Sequence, residues 1–220
     1  MKRPDIKICG ISTRETLDHV IARGATHVGF IFFEKSPRHV EIDVAAGLIE
    51  HVRGRAKTVA VSVNADNELL EEIVFGARPD MLQLHGKESV DRVVTVKALY
   101  GLPVIKAFSI RTPEDLAFAR DYEDVADRIL FDAKPPENAV LPGGNGIAFD
   151  WRLLAGYQAT IPWFLSGGLN AENVGAALTE IHAPGLDVSS GVESAPGIKD
   201  PARIDAFFDA VDKALMRQTA

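Results

Sequence analysis

Short apolar runs alternate with amphipathic stretches along almost the whole chain. The runs rich in Val, Ile and Phe read as strands, approximately Asp5–Cys9, His27–Phe33, Thr58–Val63, Met81–His85, Val104–Phe108, Arg128–Asp132, Trp163–Ser166 and Leu186–Ser189. The stretches between them carry apolar residues at helical spacing. Thr13–Arg23 sets Leu17, Val20 and Ile21 on one side, and Asn67–Phe75 does the same with Leu69, Leu70, Ile73 and Val74. Thr112-Pro113-Glu114-Asp115 has the form of a helix start: a cap residue, a proline at the first position and early acids. Asn170-Ala171-Glu172-Asn173 reads as a similar start. Gly24, Gly76 and Gly101 fall at or just past expected helix ends.

Strand and helix repeated in this order imply a parallel sheet with right-handed crossovers. Eight such units in 220 residues predict an α/β protein with a closed (β/α)8 TIM barrel. The turn after the first strand, Cys9-Gly10-Ile11-Ser12, lacks the glycine fingerprint of an open dinucleotide-binding sheet. No linker or low-complexity tract interrupts the pattern. The expected organisation is one catalytic domain over 1–216 and a short tail over 217–220.

Composition narrows the function. Hydrophobic residues make up 46% and charged residues 25%, which is ordinary globular usage. The net charge of −7 argues against a broad nucleic-acid footprint, so an anionic ligand needs a local pocket. Cys9 is the single cysteine, which excludes an internal disulfide and fits a reducing compartment. The start MKRPDIKICG has no signal-peptide pattern, and no apolar run approaches the ~18 residues of a membrane span. The expectation is a cytoplasmic enzyme, monomeric with a homodimer as the alternative, and with no membrane or nucleic-acid partner.

In such barrels chemistry collects at the C-terminal ends of the strands. Side chains alternate with period two, so Lys7 and Cys9 share one face while Ile6 and Ile8 suit the helix layer. By the same reading Met81, Gln83 and His85 share a face, as do Leu130 with Asp132 and Asp187 with Ser189. A thiol, an imidazole and two carboxylates therefore converge on one rim. Each has a bland alternative as a buried hydrophobe, core histidine, cap or ion-pair partner, but an ionisable group at a barrel mouth needs a reason to be desolvated.

Two turns favour an anion. Ser166-Gly167-Gly168-Leu169-Asn170 follows the seventh strand and Ser189-Ser190-Gly191-Val192 the eighth. Backbone amides at these two positions are the usual phosphate cradle of the fold, and glycine lets the backbone approach the ligand. Arg38, in Glu34-Lys35-Ser36-Pro37-Arg38-His39, could fork onto a carboxylate or be part of a solvated basic turn. The long loop from Ala133 to Ile147, with Gly143-Gly144-Asn145-Gly146, has the length of a lid.

Taken in order, these segments resemble the phosphoribosylanthranilate isomerase family. The matching motifs are Lys7-Ile8-Cys9-Gly10, Gly29-Phe30-Ile31-Phe32 with Ser36-Pro37-Arg38, Gln83-Leu84-His85-Gly86 and Phe131-Asp132-Ala133-Lys134. They continue with Gly143-Gly144-x-Gly146, Phe149-Asp150-Trp151, Leu165-Ser166-Gly167-Gly168-Leu169, Asp187 to Glu193, and Pro196-Gly197-x-Lys199-Asp200. The resemblance implies an Amadori rearrangement of a phosphoribosylated anthranilate in tryptophan biosynthesis. It makes Cys9 the general base and Asp132 the general acid. It puts Arg38 on the anthranilate carboxylate and the phosphate on the turns of Gly167, Gly168, Ser190 and Gly191. Gln83, His85, Gly144, Gly146, Asp187 and Ser189 join the substrate-binding set. The chemistry it implies needs neither metal nor redox cofactor, because the substrate's protonated nitrogen is the electron sink. One departure stands out: Asn145 replaces the threonine usual in the glycine-rich loop, which predicts an adjusted lid. A related barrel performs this rearrangement in histidine biosynthesis with an aspartate at the first strand, where this chain has Cys9.

Overall fold

Alternation along each strand decides which residues fill the barrel and which meet the helices. In the computed structural model, which describes residues 3–133 and 151–218, eight parallel strands close on themselves in chain order. They are β1 (Asp5–Cys9), β2 (His27–Phe32), β3 (Lys57–Ser62), β4 (Met81–Leu84), β5 (Val104–Ile110), β6 (Arg128–Ala133), β7 (Trp163–Leu165) and β8 (Gly185–Val188). Pairing of Asp5 with Gly185 through Ile8 with Val188 closes the ring. The rim residues His85, Ser166 and Ser189, expected as the last residues of their strands, lie one position past the strand ends, in the loops.

The helices are α1 (Arg14–Ala22), α2 (Ile42–Val52), α3 (Asn67–Glu72), α4 (Val90–Tyr100), α5 (Pro113–Arg120), α6 (Val174–Ile181) and α7 (Pro201–Gln218). Between β6 and β7 the described part of the connection holds a 3-10 turn, Trp151–Leu154. After β8 a 3-10 turn, Ser190–Val192, leads into a small antiparallel pair, β9 (Glu193–Ala195) and β10 (Ile198–Lys199). The described residues contain no helix long and apolar enough to cross a membrane.

Local chemistry explains the ends. Thr13 caps α1 by accepting from the Thr16 amide. Asp115 accepts the amides of Arg111 and Thr112 and so closes the start of α5. Asn170 to Asn173 form a turn before α6, with Asn170 Oδ1 accepting the amides of Glu172 and Asn173. The expected helix end at Gly76 is corrected: α3 passes into a π-helical segment, Ile73–Ala77, that contains Gly76 and ends on left-handed Arg78. An added Cβ at Gly76 would lie 2.7 Å from Ile42 Cγ2, so the wide turn lies against the start of α2.

Two apolar clusters result. The larger packs the outer strand faces, including Ile6, Ile8, Val28 and Phe131, against the helices. The smaller fills the barrel with Cys9, Val59, Val61, Ile105, Ala107, Leu130 and Phe164. Cys9 is thus inward-facing and the isoleucines of β1 outward-facing, as the alternation predicts.

Candidate active site

The base of the site is a buried charge pair. Lys7 Nζ, two residues below the end of β1, lies 2.8 Å from Asp187 Oδ1, and Ser166 Oγ is 3.4 Å from Asp187 Oδ2. Lys7 has no exposed surface. Burial works against its charge, but Asp187 and Cys9 together outweigh that and raise its pKa. Asp187 is therefore engaged below the rim, as the partner of Lys7.

Cys9 ends β1 directly above this pair. Burial pushes its thiol up from the ordinary value; the Lys7 ammonium pulls it down and Asp187 adds to the rise. Cys9 pairs in register with Gly29 of β2. A Cβ on Gly29 would stand 2.9 Å from Cys9 Sγ and 3.1 Å from Lys7 Nζ. Glycine at that position leaves the space that sulfur and ammonium share. Sequence reasoning gave Gly29 no role, although a lone glycine inside an apolar strand signals close approach of another group.

Asp132 lies on β6, three strands from β1 around the ring, and is also buried. Its Oδ1 accepts the Ala133 amide at 2.8 Å. Its Oδ2 faces His85 Nε2 at 3.3 Å. Gln83, fully buried on β4, places Nε2 2.8 Å from His85 Nδ1. The structure thus brings Gln83, His85 and Asp132 into one line on this side of the mouth.

Arg38 lies in the loop after β2, buried rather than solvated. Its Nε and Nη2 donate to Glu193 Oε1 and Oε2, each at 2.8 Å, a bidentate pair. Lys199 Nζ reaches Glu193 Oε1 at 2.6 Å and Ser189 O at 3.1 Å. Burial would raise the Glu193 carboxyl, but Arg38 and Lys199 hold it below its ordinary value. Burial lowers the Lys199 pKa, with Glu193 opposing. Ser189 Oγ donates to Cys9 O at 3.0 Å, tying this cluster to β1. Glu193 and Lys199, which orient Arg38, are residues that sequence reasoning quoted without a role. Their signal was two opposite charges just past the last strand.

The glycine turns meet each other. Gly167 and Gly168 take φ of +85° and +68°, which L side chains rarely adopt. A Cβ on Gly191 would lie 1.8 Å from Leu169 O, so the turn after β8 lies directly on the turn after β7. Asn173 Nδ2 donates to Gly168 O at 2.9 Å and braces the first turn. Ser190 and Gly191 form the 3-10 turn beside it. Gly144 and Gly146, with Asn145, lie outside the described residues.

A rim with a thiol, a carboxyl group, a buried arginine and paired glycine turns suits acid–base chemistry on a small anionic substrate. The comparisons with known proteins agree on one family. The model of N-(5'-phosphoribosyl)anthranilate (PRA) isomerase matches residues 6–210. The N-(5'-phosphoribosyl)anthranilate isomerase of Rhizobium johnstonii is 60% identical over 212 residues, 96% of each chain. The crystal structure of phosphoribosyl anthranilate isomerase from Thermotoga maritima superposes with a TM-score of 0.86 at 32% identity, covering 96% of this chain and 99% of that one. A phosphoribosyl anthranilate isomerase in complex with reduced 1-(o-carboxyphenylamino)-1-deoxyribulose 5-phosphate gives 0.83 at 30% identity, with coverage of 96% and 99%. With a match that spans the barrel from β1 to α7, the chain belongs to the N-(5'-phosphoribosyl)anthranilate isomerase family.

Proposed function

We propose that this chain catalyses the Amadori rearrangement of N-(5-phosphoribosyl)anthranilate to 1-(2-carboxyphenylamino)-1-deoxyribulose 5-phosphate, a step of tryptophan biosynthesis, in the cytoplasm and as a monomer. The observation that carries the reading is the placement of Cys9 and Asp132, both buried and inward, at the mouth ends of β1 and β6. The bound ligand named for the related complex supports the substrate class.

Asp132 delivers a proton to the ribose ring oxygen. The C1–O bond then breaks, the nitrogen lone pair forms the iminium, and Asp132 is left as carboxylate. Cys9 takes the C2 proton as a thiolate, and the bond electrons flow to the iminium nitrogen. The resulting enolamine gains a proton at C1 and loses the C2 hydroxyl proton to become the ketone, so the reaction neither takes up nor releases a proton overall. Lys7 is the group that favours the thiolate against burial. Arg38, its plane set by Glu193, holds the anthranilate carboxylate, and Ser189 accepts from Lys199, the other partner of Glu193. The amides of Gly167, Gly168, Ser190 and Gly191 hold the phosphate. Gln83, His85 and Asp187 support the site by positioning their neighbours. No metal or redox group enters this sequence of steps.

The test is to generate phosphoribosylanthranilate in situ and follow the loss of its fluorescence. Purified protein should accelerate the loss; no acceleration overturns the reading. Cys9→Ala and Asp132→Ala should each lower kcat by about 100-fold or more while KM moves little. Near-wild-type turnover in either variant removes that residue from its role.

A further inference from the structure

We propose that His85 is a positioning residue of the acid step, holding an N–H toward the carboxylate that Asp132 becomes as it gives up its proton. The inference rests on the reading of Asp132 as the acid. It starts from an imidazole whose two nitrogens have different neighbours. Nδ1 faces Gln83 Nε2 at 2.8 Å. An amide nitrogen only donates, so Nδ1 accepts and the ring proton of a neutral imidazole sits on Nε2. Nε2 is buried and makes no hydrogen bond within the described residues, and Asp132 Oδ2 stands 3.3 Å away.

The ring is held there from below. The His85 amide donates to Ser62 O at 2.8 Å, and the next residue is clamped through both backbone groups. Gly86 N donates to Glu88 Oε2 at 3.0 Å, and Gly86 O accepts from Lys106 Nζ at 2.9 Å. Lys106 and Glu88 are themselves a buried pair at 3.1 Å. A loop residue would drift without such ties; this one has a fixed backbone and a fixed tautomer.

The long contact has a chemical meaning. While Asp132 carries its proton it is a neutral acid and a poor acceptor. Its Oδ1 is already engaged by the Ala133 amide, so charge left behind by proton transfer is met at Oδ2. As the proton passes to the ribose ring oxygen, the N–H···O contact becomes charge-assisted and shortens. An interaction that strengthens only as charge develops lowers the barrier and leaves substrate affinity almost unchanged. Gln83 enters through the tautomer: with its amide reversed, the ring proton would sit on Nδ1 and Nε2 would oppose the new carboxylate.

Two measurements test this. Nitrogen-15 NMR of histidine-labelled, substrate-free protein, with His85→Gln identifying the resonance, should show the Nε2–H tautomer; an Nδ1–H tautomer overturns the proposal. In steady-state kinetics His85→Ala should lower kcat about 10- to 100-fold with KM changed less than about threefold. His85→Gln, whose amide N–H can reach the place of Nε2, should recover most of that loss, whereas His85→Met, of similar length without a donor, should not. Unchanged kcat in His85→Ala, equal kcat in the Gln and Met variants, or a loss confined to KM overturns it. Asp132→Asn is assayed alongside. If it stays active the acid reading falls as well; if it is inactive while His85→Ala is active, only this proposal falls.

Discussion

Gly29 sets the distance between the sulfur and the ammonium. The thiol needs Lys7 close because burial alone works against the thiolate. A methyl group at Gly29 would intrude on both Sγ and Nζ. Gly29→Ala should therefore lower kcat by about tenfold or more, with the pH for alkylation of Cys9 moved upward. A variant that folds and alkylates like the wild type would remove Gly29 from this role. The residue types of Cys9, Asp132 and Arg38 were legible because strand alternation and loop position are local properties. The state of each group was not. Whether Arg38 is solvated or bound to a carboxylate depends on Glu193, which is 155 positions away along the chain.

At the scale of elements, the two glycine turns after β7 and β8 form one unit. Neither turn by itself brings two sets of amides to one point; the contact of Gly191 with Leu169 O does so. Gly191→Ala must push the turns apart, since no rearrangement of a side chain can relieve a clash with a backbone oxygen. The expected outcome is a KM raised about tenfold or more, and a larger effect on KM than on kcat, measured with the fluorescence assay. A variant with wild-type KM would move the phosphate elsewhere. The elements themselves were largely readable from period and capping, as with Leu17 and Val20 on the buried side of α1 and Asp115 at the start of α5. The π-helical segment Ile73–Ala77 was not, because it reflects how Gly76 packs against Ile42 and leaves no mark in the period.

At the scale of the molecule, the inside of the barrel makes stability depend on pH. His27 on β2 packs edge-on against Phe164, at 5.2 Å between centroids, with Nδ1 2.8 Å from Thr26 Oγ1. Arg128 lies 4.4 Å over the same Phe164 ring and pairs with Asp5 at 2.9 Å. Burial first, and then the Arg128 charge, lower His27 from 6.5 to about 4. Between these values the unfolded chain binds a proton that the folded chain does not. Stability present above the unfolded value is therefore lost as pH falls through this window, and the loss levels off below the folded value. The full cost is on the order of 3 kcal/mol. Urea unfolding midpoints at about pH 7 and about pH 4.5 should differ more for wild type than for His27→Gln. Equal differences in the two proteins would rule out His27 as the source.

Period-two and helical patterning determined the eight-fold repeat, the inward face of β1 and the rim that carries the candidate residues. Those features depend on neighbours a few residues apart, which the chain displays directly. The tertiary structure alone decided the pairings: Lys7 with Asp187, Arg38 with Glu193 and Lys199, His85 with Asp132, and the turn of Gly191 upon Leu169. Closing the barrel brings Lys7 and Asp187, 180 positions apart, into hydrogen-bond range. In that buried interior a partner's charge and the depth of burial, rather than the residue type, set what each group can do.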